Sequence, residues 1–371
     1  MTFVVRRVAL VSPYAIDVPG GVQSQVKAMA KALARRGFDV TVCSPGSPVG
    51  ELVDAGVAHA AVGAVLRVPA NGSRAPVTLS RRAARTFASI AATLRDGVVH
   101  VHEPFAPVAA YQLLHEHRRP VVATFHRGGG GPAYVAGRPL ITRLSKSLDV
   151  VTAVSQRAAD TIAASSALAP EVLFNGIDLE AVDAVAPWPT VAPTVLFVGR
   201  HEERKGLGVL LEAVGLLELS IEAWVVGDGP LTESLRRAHG GDPRISFLGA
   251  CSDDEVRSRM RGADVLCVPS LRGESFGLVP LEGMAAVTTV IASDIDGYRE
   301  ATGGHATLVA PGDVRALAEA LRDALERPST RSALDAARAH AAAWSIDALT
   351  DRYTELYGIA ATRFGAGRSV G

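Results

Sequence analysis

A chain of 371 residues, 48% hydrophobic and 20% charged, is too long for one ordinary core and too apolar to stay disordered; it predicts two α/β domains of about 180 residues each. Net charge is zero, yet residues 1–180 carry 19 Lys+Arg against 12 Asp+Glu and the rest carry 19 against 26, so the first half is the one suited to an anionic partner. Cys43, Cys251 and Cys267 stand far apart with no CxxC pair, which excludes a disulfide framework or a cysteine zinc site and suits a reducing cytoplasm, and no apolar run approaches the roughly 20 residues that span a bilayer.

Arg6-Arg7 imitates a twin-arginine leader, but the apolar run behind it ends at Pro13, so a buried first strand, Arg7–Ser12, is the expectation. A loop Pro13–Gly21, a helix Val22–Arg36 and a strand Asp39–Ser44 follow. Arg81, Arg82 and Arg85 lie beside Phe87 and Ile90 within Arg74–Arg95, which reads as an amphipathic helix, either membrane-facing or a basic solvent face over core. Further strands are expected at Val98–His102, Val121–Phe125, Val150–Ala153 and Glu171–Leu173. Pro187, Trp188, Pro189 and Pro193 mark the stretch from Asn175 to Pro193 as a hinging linker. The grammar then restarts: strand Thr194–Val198, loop Gly199–Gly206, helix Leu207–Leu217, strand Ile221–Val226, and strands near Ile245–Leu248, Val265–Val268, Thr289–Ala292 and Thr307–Val309. A last helix, Ile346–Tyr357, is expected, with residues beyond Ala360 frayed. Alternating strands and helices give two doubly wound domains, 1–180 and 181–345, each with its ligand edge at the carboxyl ends of the strands, and a C-terminal helical segment, 346–371, packing back towards the first.

Chemistry is expected at four places. Pro19-Gly20-Gly21-Val22 opens a helix whose unpaired N–H groups suit a phosphate, although a glycine turn serving only geometry reads equally well. Gly199-Arg200-His201-Glu202-Glu203-Arg204-Lys205-Gly206 sets three cations in a loop after a strand; Arg200 and Lys205 suit a diphosphate, and without Gly-Lys-Ser/Thr the loop is not a Walker motif. Glu274-Ser275-Phe276-Gly277-Leu278 with Glu282 places one carboxylate before a helix and another about two turns along it, suited to different parts of one extended ligand. His126 ends a strand before Arg127 and four glycines, a position for an active-site donor. His100 and His102 are read as structural, and Asp294-Ile295-Asp296 as a loop, not as metal sites.

Together, Gly199-Arg200 with Lys205-Gly206, Gly227-Asp-Gly-Pro230, Glu274-Ser-Phe-Gly-Leu with Glu282, Ala292-Ser-Asp294 and Asn175-Gly-Ile-Asp178 resemble family 4 of the retaining glycosyltransferases, which implies the GT-B fold, two Rossmann-like domains facing an interdomain cleft. Pro13-Tyr14, Asp17-Val-Pro-Gly-Gly-Val-Gln23-Ser, Pro69-Ala-Asn71-Gly-Ser73, His102-Glu-Pro104 and Ala123-Thr-Phe-His126 are similar to the actinobacterial phosphatidyl-myo-inositol mannosyltransferases. The resemblance implies that Glu282 holds the ribose, Glu274 the sugar hydroxyls, Arg200 and Lys205 the diphosphate, and backbone near Cys251 and Asp253 the base. It adds Ser275, Phe276, Gly277 and Leu278 to the donor site, with Gly21 and His126 contributed by the first domain. His126, Arg200, Lys205 and Glu274 are the residues expected to carry catalysis, and Tyr14, Gln23, Asn71, Ser73, Arg74 and Arg127 to meet the acceptor.

The implied reaction is transfer with retention, without cofactor or essential metal, most directly of mannose from GDP-mannose to an inositol lipid at the inner membrane face, with no nucleic-acid partner. Arg127-Gly-Gly-Gly-Gly131 departs from the hydroxyl-rich, lysine-bearing segment of the inositol enzymes, Ala70 replaces an aromatic residue, and Val287 and Thr289 replace small residues of the donor domain. Another donor, such as UDP-glucose or UDP-N-acetylglucosamine, or another acceptor therefore stays open; a non-catalytic nucleotide-sugar or lipid-binding protein is the reading of a different class.

Overall fold

The computed structural model describes residues 5–18, 20–70, 73–78, 80–106, 110–126, 137–274 and 276–368. The chain divides into two compact units, one formed by residues 1–176 with 346–371 and the other by residues 177–345. Each unit is built on its own parallel sheet.

In the first unit the strands are β1 (Arg7–Val11), β2 (Asp39–Ser44), β3 (Ala58–Ala61), an antiparallel hairpin β4 (Leu66–Ala70) and β5 (Ser73–Val77), then β6 (Gly97–His102), β7 (Val121–Phe125), β8 (Val150–Ala153) and β9 (Glu171–Val172). Seven of them form one parallel sheet in the order β3-β2-β1-β6-β7-β8-β9. Along β1, Val8 and Leu10 enter one buried cluster while Ala9 and Val11 enter another. Period-two side chains that are apolar on both faces are what a parallel sheet covered by helices requires. Helices reach it because its strands run parallel and need crossovers.

The second unit carries β10 (Thr194–Val198), β11 (Glu222–Val226), β12 (Ile245–Gly249), β13 (Val265–Val268), β14 (Thr289–Ser293) and β15 (Thr307–Val309), ordered β12-β11-β10-β13-β14-β15. The order reverses between β10 and β13, so the loops after these two strands diverge and open a crevice at their carboxyl ends. The corresponding reversal in the first unit falls between β1 and β6.

Three expectations need correction. The proline-rich stretch before Pro193 is not a free linker but part of the second unit: Leu179–Asp183 is a helix capped by Asp178, and the Trp188 N–H bonds Ser258 O at 2.8 Å. The Arg259 guanidinium sits 4.0 Å from the Trp188 ring centroid and 4.9 Å from that of Trp224, a cation–π sandwich worth roughly 0.5–2 kcal/mol. Residues 73–77 form β5 instead of the start of a helix, and the helix that follows, Arg81–Thr93, begins where Ser80 accepts the N–H groups of Arg82 and Ala83. Its Phe87 is buried in the core cluster with Ala83, while Arg82 and Arg85 stay exposed, so its apolar face is committed inward. Finally, the last helix does not fray after Ala360: it runs Ile346–Arg368, with Tyr353, Tyr357 and Ala360 buried in the first unit's core.

Candidate functional site

In the second unit the loop after β10 folds onto two neighbouring loops. His201 N–H bonds Asp228 O at 3.2 Å and Leu231 N–H bonds His201 O at 3.0 Å, while the buried His201 ring meets Thr232 Oγ1 at 2.8 Å. Gly227, at φ 121°, lets the Gly227–Pro230 turn approach so closely that a Cβ there would lie 2.0 Å from Gly199 O. On the other side Leu271 N–H bonds Arg204 O at 2.7 Å. Gly206, at φ 70°, passes so near Pro269 that a Cβ would meet its carbonyl oxygen at 1.9 Å; only glycine meets both demands.

This packing aims the cations. Within the short 3₁₀ turn Glu203–Lys205, Arg204 Nη1 lies 2.7 Å and Lys205 Nζ 2.8 Å from the same oxygen, Glu274 Oε1. Glu202 holds Arg204 Nε at 3.0 Å and Arg200 Nε at 2.8 Å. The side chains of Glu274 and Lys205 are only 14% and 17% exposed, so water screens this pair weakly. Three cations and two carboxylates thus form one chain of ion pairs. Arg204 is the residue that the sequence did not single out, though it stood in the same cationic run; Glu202, which orients two of the cations, carried no signal of its own.

Phe276 is 7% exposed and packs on Trp344 at 5.3 Å between ring centroids. Gly277 then precedes the helix Leu278–Ala285, which no described side chain caps, and the positive end of that helix suits an anion. Partly buried Glu282 lies on the helix, and burial raises its carboxyl pKa; nearby Arg257 opposes the shift and Asp253 adds to it. Glu282 is therefore within electrostatic range of the helix Asp253–Gly262, which Ser252 caps and which Cys251 precedes. Burial together with Glu255 raises the Cys251 thiol, which keeps it protonated and unreactive. Arg200, Lys205, Cys251, Glu274, Phe276 and Gly277 thus lie on the loops that follow β10, β12 and β13, and Asp253, Leu278 and Glu282 on the helices into which two of those loops lead. Asp294 and Asp296 are both bound by Arg299, at 2.7 and 2.9 Å, and among the described residues no cluster of His, Cys, Asp and Glu has a metal-binding arrangement.

In the first unit His126 follows β7, and its backbone N–H bonds Glu103 Oε1 at 2.6 Å. Its Nε2 lies 2.9 Å from His102 Nδ1. His100 uses both ring nitrogens, Nδ1 to Tyr357 OH at 2.9 Å and Nε2 to Thr124 Oγ1 at 2.7 Å. These bonds make it a structural link between β6, β7 and the last helix. Burial holds His100 and His126 down to about 3 and His102 well below its ordinary value, so all three rings are neutral. Gly21 begins the helix Gly21–Arg35 with open space where a side chain would project, and no described side chain caps that helix.

Of the residues expected to meet an acceptor, Tyr14 pairs with Val77 at the end of β5, the strand that also carries Ser73 and Arg74. Gln23 is 5% exposed, its amide folded over Gly20. Asn71, Arg127 and Ser275 lie outside the described residues.

Residues 19–181 match the family model for glycosyltransferase family 4 and residues 192–327 that for glycosyl transferases group 1. The chain is 35% identical to a phosphatidyl-myo-inositol mannosyltransferase of Mycolicibacterium smegmatis over 92% of its length and 91% of that protein's. It is 30% identical to one of Propionibacterium freudenreichii over 98% of both. Among solved structures, the Anabaena protein HepE in complex with UDP superimposes with a TM-score of 0.72 at 19% identity, covering 94% of this chain and 99% of that one. A sucrose-phosphate synthase of Thermosynechococcus elongatus gives 0.73 at 20%, covering 95% and 98%. Two parallel sheets of Rossmann type, the motifs along both units and these matches have one reading: the chain belongs to family 4 of the glycosyltransferases and is an enzyme of the GT-B fold.

Proposed function

We propose that this glycosyltransferase moves mannose, with retention and without a metal, from GDP-mannose to a phosphatidylinositol-type lipid at the inner face of the membrane. What carries the reading is the match along nearly the whole chain to phosphatidyl-myo-inositol mannosyltransferases. The site's chemistry agrees with it. Transfer from a nucleotide-sugar leaves a diphosphate whose charge grows as the glycosidic bond breaks, and fixed cations favour that state over the ground state. Lys205 and Arg204, held in place by Glu202 and Glu274, supply such charge without the reorganisation a flexible side chain would need. Glu274 is then a ligand of the transferred sugar, Glu282 of the ribose, and Gly21 and His126 of the first unit share in holding the donor. The acceptor hydroxyl gives its proton to the departing phosphate oxygen, so no carboxylate serves as nucleophile.

No described helix is long and apolar enough to cross a membrane. Exposed Arg82 and Arg85 favour peripheral contact with anionic lipid, each worth on the order of 1 kcal/mol near such a surface. The Arg127–Gly131 segment and Ala70 sustain the second reading, in which a family 4 enzyme uses another donor or acceptor. Protein incubated with labelled GDP-mannose and phosphatidylinositol liposomes, with and without EDTA, is expected to give the same yield of labelled mannolipid. Turnover of UDP-glucose or UDP-N-acetylglucosamine with GDP-mannose inert would replace the first reading by the second, and loss of product in EDTA would remove metal independence.

A further inference from the structure

The His126 ring is held from behind by a second histidine whose own chemistry is constrained. His102 is 1% exposed, its ring stacks on His100 with centroids 4.5 Å apart, and its Nδ1 meets His126 Nε2 at 2.9 Å. Its other nitrogen, Nε2, is buried with no hydrogen-bond partner among the described residues. A neutral imidazole has one N–H and one lone pair, so the contact has two possible arrangements. In one, His126 Nε2–H donates to His102 Nδ1. The His102 proton then sits on Nε2, a buried N–H with no acceptor. In the other, His102 Nδ1–H donates to His126 Nε2, and only a lone pair is left unpaired in the interior. Orphaned buried N–H groups are the rarer defect in native proteins, and the second arrangement avoids one: the remaining proton goes to Nδ1 of His126, whose ring is only partly buried.

We infer that His102 is a positioning residue that fixes His126 as its Nδ1–H tautomer, so that His126 presents a hydrogen-bond donor, not a base, to an oxygen of its ligand. The adjacent residue completes the clamp: Glu103, with its backbone at φ 48° in the left-handed region, turns back so that its carboxylate accepts the His126 backbone N–H. One residue of the pair sets the ring and the other sets the main chain. A donor aimed at a sugar hydroxyl or phosphate oxygen strengthens as negative charge develops there. The tautomer follows from the first unit alone; its use in transfer rests on the proposed part of His126 in holding the nucleotide-sugar.

The test is a long-range ¹H–¹⁵N correlation spectrum of the full chain labelled at histidine, with the His126→Gln variant assigning the signals. The expected pattern for His126 is an unprotonated Nε2 and a protonated Nδ1; the reverse pattern overturns the inference whether or not the protein transfers mannose. His102→Asn keeps an amide N–H near the Nδ1 position and His102→Leu removes it. Transfer from whichever nucleotide-sugar proves active should fall on the order of tenfold or more in the leucine variant and be largely restored in the asparagine variant. Equal loss in both would make His102 a packing residue only. If the leucine variant fails to fold, the wild-type spectrum still decides the tautomer.

Discussion

Glu274 Oε1 accepts both Arg204 and Lys205, and the two cations differ in their remaining partners, which separates their expected roles. Arg204 is held both by Glu202 of its own loop and by Glu274 of the loop after β13, whereas Lys205 has Glu274 as its ion-pair partner and keeps the rest of its ammonium, already in place, for an arriving phosphate. Arg204→Ala should therefore cost stability, about 1–3 kcal/mol for opening a partly buried charged network, read as a lower urea midpoint. Lys205→Ala should leave that midpoint nearly unchanged and reduce kcat on the order of a hundredfold, the usual loss when one preorganised donor to developing charge is removed. If the two variants exchange phenotypes, the division of labour drawn here is wrong.

Strands β6 and β7 and the last helix meet in a hydrogen-bonded core that stays uncharged: His100 between Tyr357 and Thr124, with Tyr353 bonded to Thr124 and Thr152 at 2.8 and 3.0 Å. His100 in the fold is held down to about 3, whereas in the unfolded chain it takes up a proton near 6.5. The unfolded state therefore binds more protons in the window between those values, and stability falls as pH drops through it, by up to about 1.4 kcal/mol per pH unit for this one ring. Urea midpoints taken from about pH 8 down to pH 5 should decline less steeply in His100→Gln than in the wild type, and parallel slopes would refute the assignment. These strands were legible in the sequence because a sheet buried on both faces needs unbroken runs such as Val121–Phe125. The edge strand Ala58–Ala61 and the hairpin β4–β5 were not, since alanine has no strand preference and Pro69 and Pro76 read as breakers. The last helix was expected to fray beyond Ala360 because termini usually do, but burial of Tyr357 and Ala360 carries it onward. At the site, the cationic loop and the two glutamates could be read from spacing, but not which of Arg200, Arg204 and Lys205 reaches Glu274. A contact spanning 70 residues is set by the loops after β10 and β13, not by local sequence.

At the scale of the whole molecule, the second unit is one continuous stretch of chain while the first is not: its sheet is covered by residues 346–368, which lie beyond the entire second unit in sequence. Burying Tyr353, Leu356 and Tyr357 stabilises that sheet by roughly 1.5–3 kcal/mol per side chain. Residues 1–176 alone should therefore unfold without a cooperative transition, while 177–345 alone should unfold cooperatively; a sharp transition in the N-terminal piece would contradict this. The consequence is one of time during synthesis. A ribosome adding about 5–20 residues per second takes roughly ten to thirty seconds to pass from Gly176 to Ile346, and throughout that interval the earlier-made unit waits with part of one apolar sheet face uncovered, the helix Gly21–Arg35 covering the rest, while the later-made unit is already free to fold. In this chain the usual order of domain folding is inverted, and a helix made only after the whole second unit is the one that closes the unit made before it.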